Sequence, residues 1–178
     1  MMLGALPQTV EARTLAAREV TLAGVVDPSK LLRFGAAIVA AKQPVVVNAD
    51  FYRDEEKRYI VSVQVTAEVQ GTCQRCLGTL DQTLASSALL AVVWTDEQAA
   101  QLPPRYEPLV AEAEIDFWEV VEDELLLALP SFSYHSDTNC GAETGVQALG
   151  SEETAVSVSP ERDNPFDVLK ALKGDVDK

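Results

Sequence analysis

Two runs of alternating character dominate the chain. Val45, Val47, Ala49 and Phe51 alternate with Val46, Asn48, Asp50 and Tyr52. After a charged stretch at 53–58, Tyr59, Val61, Val63, Val65, Ala67 and Val69 alternate with Ile60, Ser62, Gln64, Thr66, Glu68 and Gln70. A side-chain period of two over such lengths predicts an antiparallel hairpin with one buried face. A third long strand returns after residues 71–78, with Leu80, Leu84, Ala88, Leu90, Val92 and Trp94 mostly in phase. The out-of-phase Leu89 and Val93 predict that its second half is covered on both sides.

Helical spacing shows in two other places. Asp27 offers an N-cap and Pro28 a pre-set first helical residue ahead of Leu31, Leu32, Phe34, Ile38 and Val39, so a helix is expected over 28–41, closed by Pro44. From 116 to 129, Phe117, Val120, Val121, Leu125, Ala128 and Leu129 share one side of a helix, with Glu119, Glu122 and Asp123 largely on the other. A further strand is expected over 15–26. These elements predict an α+β fold, an antiparallel sheet meander packed against helices.

Length and charge add bounds. The 178 residues suit one domain with a tail, expected as an α+β domain over 1–140, a linker over 141–163 and a short helical tail over 164–178. The stretch 141–163 lacks periodicity and aromatics, as a flexible linker does. In the tail, Asn164 can cap and Pro165 can start a helix whose Phe166, Leu169 and Leu172 recur every third residue, a segment suited to docking.

The formal net charge of -14 argues against a broad nucleic-acid surface, because phosphates would be repelled. The acid is concentrated: residues 96–124 hold ten Asp/Glu and one Arg. Such a surface suits a basic protein partner, with Glu122, Asp123 and Glu124 expected at or near its centre, or simply solvated. No basic-then-apolar leader and no membrane-length apolar run is seen, so a cytoplasmic location away from membranes is expected.

The candidate chemistry lies in Cys73-Gln74-Arg75-Cys76, within the turn after the second hairpin strand. The only His and the only other Cys, His135 and Cys140, complete a set of three thiolates and one imidazole, a ligand set for structural zinc. The alternatives are free thiols, or a thiol-redox pair at Cys73 and Cys76. Redox motifs, however, usually start a helix after a parallel strand, and these flanks read as antiparallel strands. With one His and neither a G-x-S-x-G nor a Walker glycine loop, hydrolase and nucleotide-dependent readings have no support.

Taken together, Cys73 to Cys76, the stretch 96–108, Val121 to Pro130 with His135 and Cys140 beyond it, and Asn164 to Lys173 resemble the YceD family of bacterial large ribosomal RNA subunit accumulation proteins. The resemblance implies a cytoplasmic, non-enzymatic factor needed for normal accumulation of large-subunit ribosomal RNA. It also implies a second cysteine pair in some relatives where this chain carries His135 and Cys140, an exchange that keeps a tetrahedral site. Partners expected on this footing are basic ribosomal or RNA-processing proteins. A local contact with large-subunit ribosomal RNA around Arg75 is the alternative within the same reading.

Overall fold

The period-two runs form the strands they predict. In the computed structural model, which describes residues 4–141, Val45–Arg53 (β4) pairs antiparallel with Tyr59–Thr72 (β5), and β5 pairs in turn with Thr79–Val93 (β6). The alternation sorts as expected. Val45, Val47, Ala49 and Phe51 of β4 and Val61, Val63, Val65, Ala67 and Val69 of β5 are all buried on one face. Asp54 closes the hairpin by accepting from the backbone N–H groups of Glu56 and Arg58 and from the Arg58 Nε at 2.8 Å. The Tyr106 hydroxyl adds a bond at 3.1 Å.

The second half of β6 is covered twice, as its phase suggested. Leu90 and Val92 face the main core, while Ala91 joins Ile60 and Tyr106 in a small cluster on the opposite face. Val93 is also buried, although Leu89 remains partly exposed. The cover comes from the chain after β6: a short helix Asp96–Ala99 (α3), then Glu107–Val110 (β7), which runs parallel to β6 at Leu90 to Val93. Among the strands of this sheet every other pairing is antiparallel.

Helix Phe117–Ala128 (α4) lies across β5 and β6. Asp116 caps it by accepting from the Glu119 N–H at 3.0 Å, and Phe117, Val121 and Leu125 are fully buried, with the Phe117 ring 6.0 Å from that of Phe51. Immediately before α4, the two-residue strand Ile115–Asp116 (β8) pairs with Thr9–Val10 (β1).

Two expected elements differ. The strand expected over 15–26 is a helix Ala12–Ala17 (α1) followed by a strand Thr21–Val26 (β2), which pairs antiparallel with β4. Alanine at 12, 16 and 17 favours the helix, and Glu19 at φ 54° turns the chain out of it. The helix expected over 28–41 begins as foreseen, with Asp27 accepting from the Ser29 N–H, but it divides into a 3-10 turn Pro28–Lys30 and a helix Leu32–Ala37 (α2). Ile38 is already extended, the Val39 N–H donates to the Gln70 carbonyl, and Ala40–Ala41 (β3) pairs with β5. Unpaired carbonyls on β5 compete with continued helix here, and β-branched Ile38 and Val39 favour the extended choice.

Among the described residues no helix is long and apolar enough to cross a membrane. The expected tail helix with Asn164, Pro165, Phe166 and Leu169, and the linker beyond Gly141, lie outside the described residues.

Candidate metal centre

The turn between β5 and β6 is a tight knuckle. The Cys73 N–H donates to the Gly78 carbonyl and the Leu77 N–H to the Cys73 carbonyl, both at 2.8 Å. Leu77 takes the left-handed conformation, φ 59°, that reverses the chain. A side chain at Gly78 would sit 3.4 Å from the Cys76 sulfur, so the hydrogen there leaves room for the cluster.

The loop after α4 is tied to this knuckle by its backbone. The Gln74 N–H donates to the Ser133 carbonyl at 2.9 Å, and Arg75 Nη1 donates to the Asp137 carbonyl at 2.9 Å. Cys73, Cys76, His135 and Cys140 thereby converge, their ligand atoms all within 4.8 Å of one another. The Cys73 and Cys140 sulfurs are 3.9 Å apart, and the Cys76 sulfur lies 3.3 Å from His135 Nδ1.

The 3.9 Å sulfur–sulfur and 3.3 Å sulfur–nitrogen separations are close to those around a metal. Tetrahedral zinc with bonds of about 2.3 Å to sulfur and about 2.0 Å to nitrogen requires edges of about 3.8 Å between sulfurs and about 3.5 Å from sulfur to nitrogen. The imidazole is set for the purpose. His135 Nε2 lies 3.0 Å from the Thr79 carbonyl, which can only accept, so Nε2 carries the proton and Nδ1 turns its lone pair toward the sulfurs. Sequence patterning did not single out Thr79, because the orienting group is a backbone carbonyl.

The thiols are electrostatically unequal. Burial opposes ionisation of Cys73, but the backbone N–H groups of Cys76, His135 and Arg75, with the Cys76 thiol, outweigh it and bring its pKa down to about 5. Burial pushes Cys140 up, as do its contacts with Cys73 and Cys76, and Arg75 pulls the other way. Cys73 is 0% exposed, so an external disulfide has no path to the sulfur most ready to attack it.

Beside the cluster, exposed polar residues such as Asp137 and Asn139 adjoin an aromatic patch. Arg75 stacks on the Tyr134 ring at 5.2 Å, and Leu77 and Phe132 are exposed nearby in sequence. The aromatic residues flanking Ser133 were the legible signal for this patch.

The three consecutive carboxylates are not the open surface expected of them. Glu122 is 7% exposed, with Oε1 accepting from the Phe34 N–H at 2.9 Å and Oε2 from Arg33 Nε at 2.8 Å. Glu124 is 5% exposed and accepts from the Ser86 hydroxyl at 2.7 Å. Asp123 alone keeps an exposed face, paired with Arg33. Glu122 and Glu124 are therefore corrected to internal ties. Glu122 performs a specific task, since the N-cap of α2 is Leu31, which has no side-chain acceptor, and the Glu122 carboxylate receives one of the orphan N–H groups of that first turn.

Known proteins give a consistent placement. The family model described as large ribosomal RNA subunit accumulation protein YceD matches residues 61–173, which include all four cluster residues. The Haemophilus influenzae protein named large ribosomal RNA subunit accumulation protein YceD is 34% identical over 170 residues, 94% of this chain and 96% of that protein. No solved structure matches. The chain belongs to the YceD family.

Proposed function

We propose that the chain is a non-enzymatic cytoplasmic factor that supports accumulation of large-subunit ribosomal RNA, with zinc at Cys73, Cys76, His135 and Cys140 as a structural brace. The near full-length similarity to the Haemophilus influenzae protein carries the biological role. The ligand set supports the structural reading of the metal. Four protein ligands close a tetrahedron and leave no position for water or substrate, the arrangement of structural rather than catalytic zinc. Bound there, zinc would hold the loop after α4 against the β5–β6 turn and so fix the Arg75–Tyr134 surface.

The partner is a basic ribosomal or RNA-processing protein, for which the net charge of -14 provides long-range attraction. A direct RNA contact is the second reading, favoured by the Arg75–Tyr134 stack and exposed Phe132, a platform on which an unpaired base can lie. The test removes the chain from its host, measures the ratio of large- to small-subunit ribosomal RNA, and restores wild type or Arg75→Ala. Material co-purified at physiological salt is examined in parallel. A fall in the ratio reversed by wild type is expected; an unchanged ratio would refute the proposed role. Crosslinking to RNA lost in Arg75→Ala would favour the direct contact, whereas retention of a basic protein by both forms favours the partner.

A further inference from the structure

The backbone of β6 has an unfinished edge. Its pairing with β5 keeps one register from Thr72↔Thr79 to Tyr59↔Val92, so no bulge changes which residues face which side. The Gly78 carbonyl accepts from Cys73, which places even-numbered residues toward β5. The Thr79 carbonyl receives His135 and the Val93 carbonyl receives Ala111, which places odd-numbered residues outward. β7 covers β6 only from Leu90 to Val93. Asp81, Thr83, Ala85 and Ser87 therefore turn N–H and C=O groups outward, and among the described residues nothing bonds them.

The other edges of this sheet are shorter or partly covered. At β2, Val25 exchanges backbone bonds with Gly4 and Leu6, and β7 is short and contains Pro108. Residues 79–89 have neither Lys, Arg, Pro nor Gly, the usual devices against strand addition.

We infer that this edge is the seam of a homodimer, in which β6 pairs antiparallel with β6 of a second copy. Charge decides for a second copy over a basic segment. On a molecule of net charge -14, the strip carries one charged side chain, Asp81, and Lys42 neutralises it at 2.5 Å. A two-fold axis at Leu84, the midpoint of 79–89, sets Asp81 opposite the partner's Ser87 and Thr83 opposite the partner's Ala85. No like charges meet, and each outward residue gains a bonded counterpart.

The helix layer agrees. Glu122 lies on the flank of α4 toward α2, and Glu124 reaches Ser86 of β6. Leu127, one turn beyond Glu124 and 72% exposed, lies on the flank away from α2. Across the axis the two α4 helices come side by side over the joined sheet, and Leu127 is covered. The seam extends about 30 Å at strand rise.

Full-length protein is measured by light scattering on size exclusion and by amide exchange across a concentration series. The expected mass is that of two chains, with exchange at Thr83 and Ala85 slowing as concentration rises. Thr83→Lys/Ala85→Lys sets lysine against lysine across the axis, and Leu127→Glu charges the helix flank. Both should yield monomers that keep the wild-type circular dichroism spectrum, since neither site is buried in the single chain, with a thermal midpoint that no longer rises with protein concentration as the wild type's does. A wild-type monomer throughout, a dimer indifferent to both variants, or protection of these amides only when a basic polypeptide is added would each overturn the inference.

Discussion

Replacing Glu122 with Ala tests whether this carboxylate caps α2 or faces a partner. Two bonds are lost. The bond from the buried Phe34 N–H is charge-assisted and leaves an unsatisfied donor, a loss of about 2 kcal/mol. The Arg33 pair contributes no more than about 0.5 kcal/mol, because half of the Arg33 side chain is open to solvent and screened. At about 3 °C per kcal/mol for a domain of this size, thermal unfolding followed by circular dichroism should show a fall of about 7 °C. Glu122→Gln retains an oxygen for Phe34 and should lose about half as much, while Asp123→Asn should stay within about 0.5 kcal/mol. The Phe34 amide should exchange faster in Glu122→Ala than in wild type. A Glu122→Ala midpoint within about 1 °C of wild type, with partner binding weakened instead, would refute the capping argument.

Three further outcomes follow from other sites. Purified protein should contain one zinc per chain by elemental analysis, and its removal by a chelator should lower the thermal midpoint and speed exchange at Gln74, whose N–H is bonded to Ser133 across the cluster. Burial raises the Asp54 carboxyl, but bonds from the Arg58 side chain and backbone and from Tyr106 outweigh it and hold it below the usual carboxylate range. Its contribution is fully present above about pH 4 and is lost as pH falls through the depressed folded value, so Asp54→Asn should lower the plateau by about 2 kcal/mol and flatten the acid limb of a midpoint-against-pH curve. Leu77→Gly relieves a left-handed conformation at a residue 74% exposed and should stabilise the fold by about 1 kcal/mol in thermal unfolding; a lower midpoint would mean that the Leu77 side chain supports the knuckle.

What the sequence determined by itself were the elements whose side-chain period matches a single buried face. β4, β5, β6 and α4 read correctly because alternating valines, or Phe117, Val121 and Leu125 at helical spacing, leave one arrangement that hides them from water. The four candidate ligands were also legible as a set, since soft ligands are scarce in the chain, although their convergence depends on backbone bonds such as that between Gln74 and Ser133. The tertiary structure decided the rest, through backbone groups that one segment offers to another. The β5 carbonyls of Glu68 and Gln70 end α2 and draw out β3, the Phe34 N–H and Arg33 bury Glu122, and the outward groups of β6 are met by a parallel β7 only from Leu90 to Val93. Backbone donors and acceptors are the same at nearly every residue, so no pattern of side chains announces which of them will be left open.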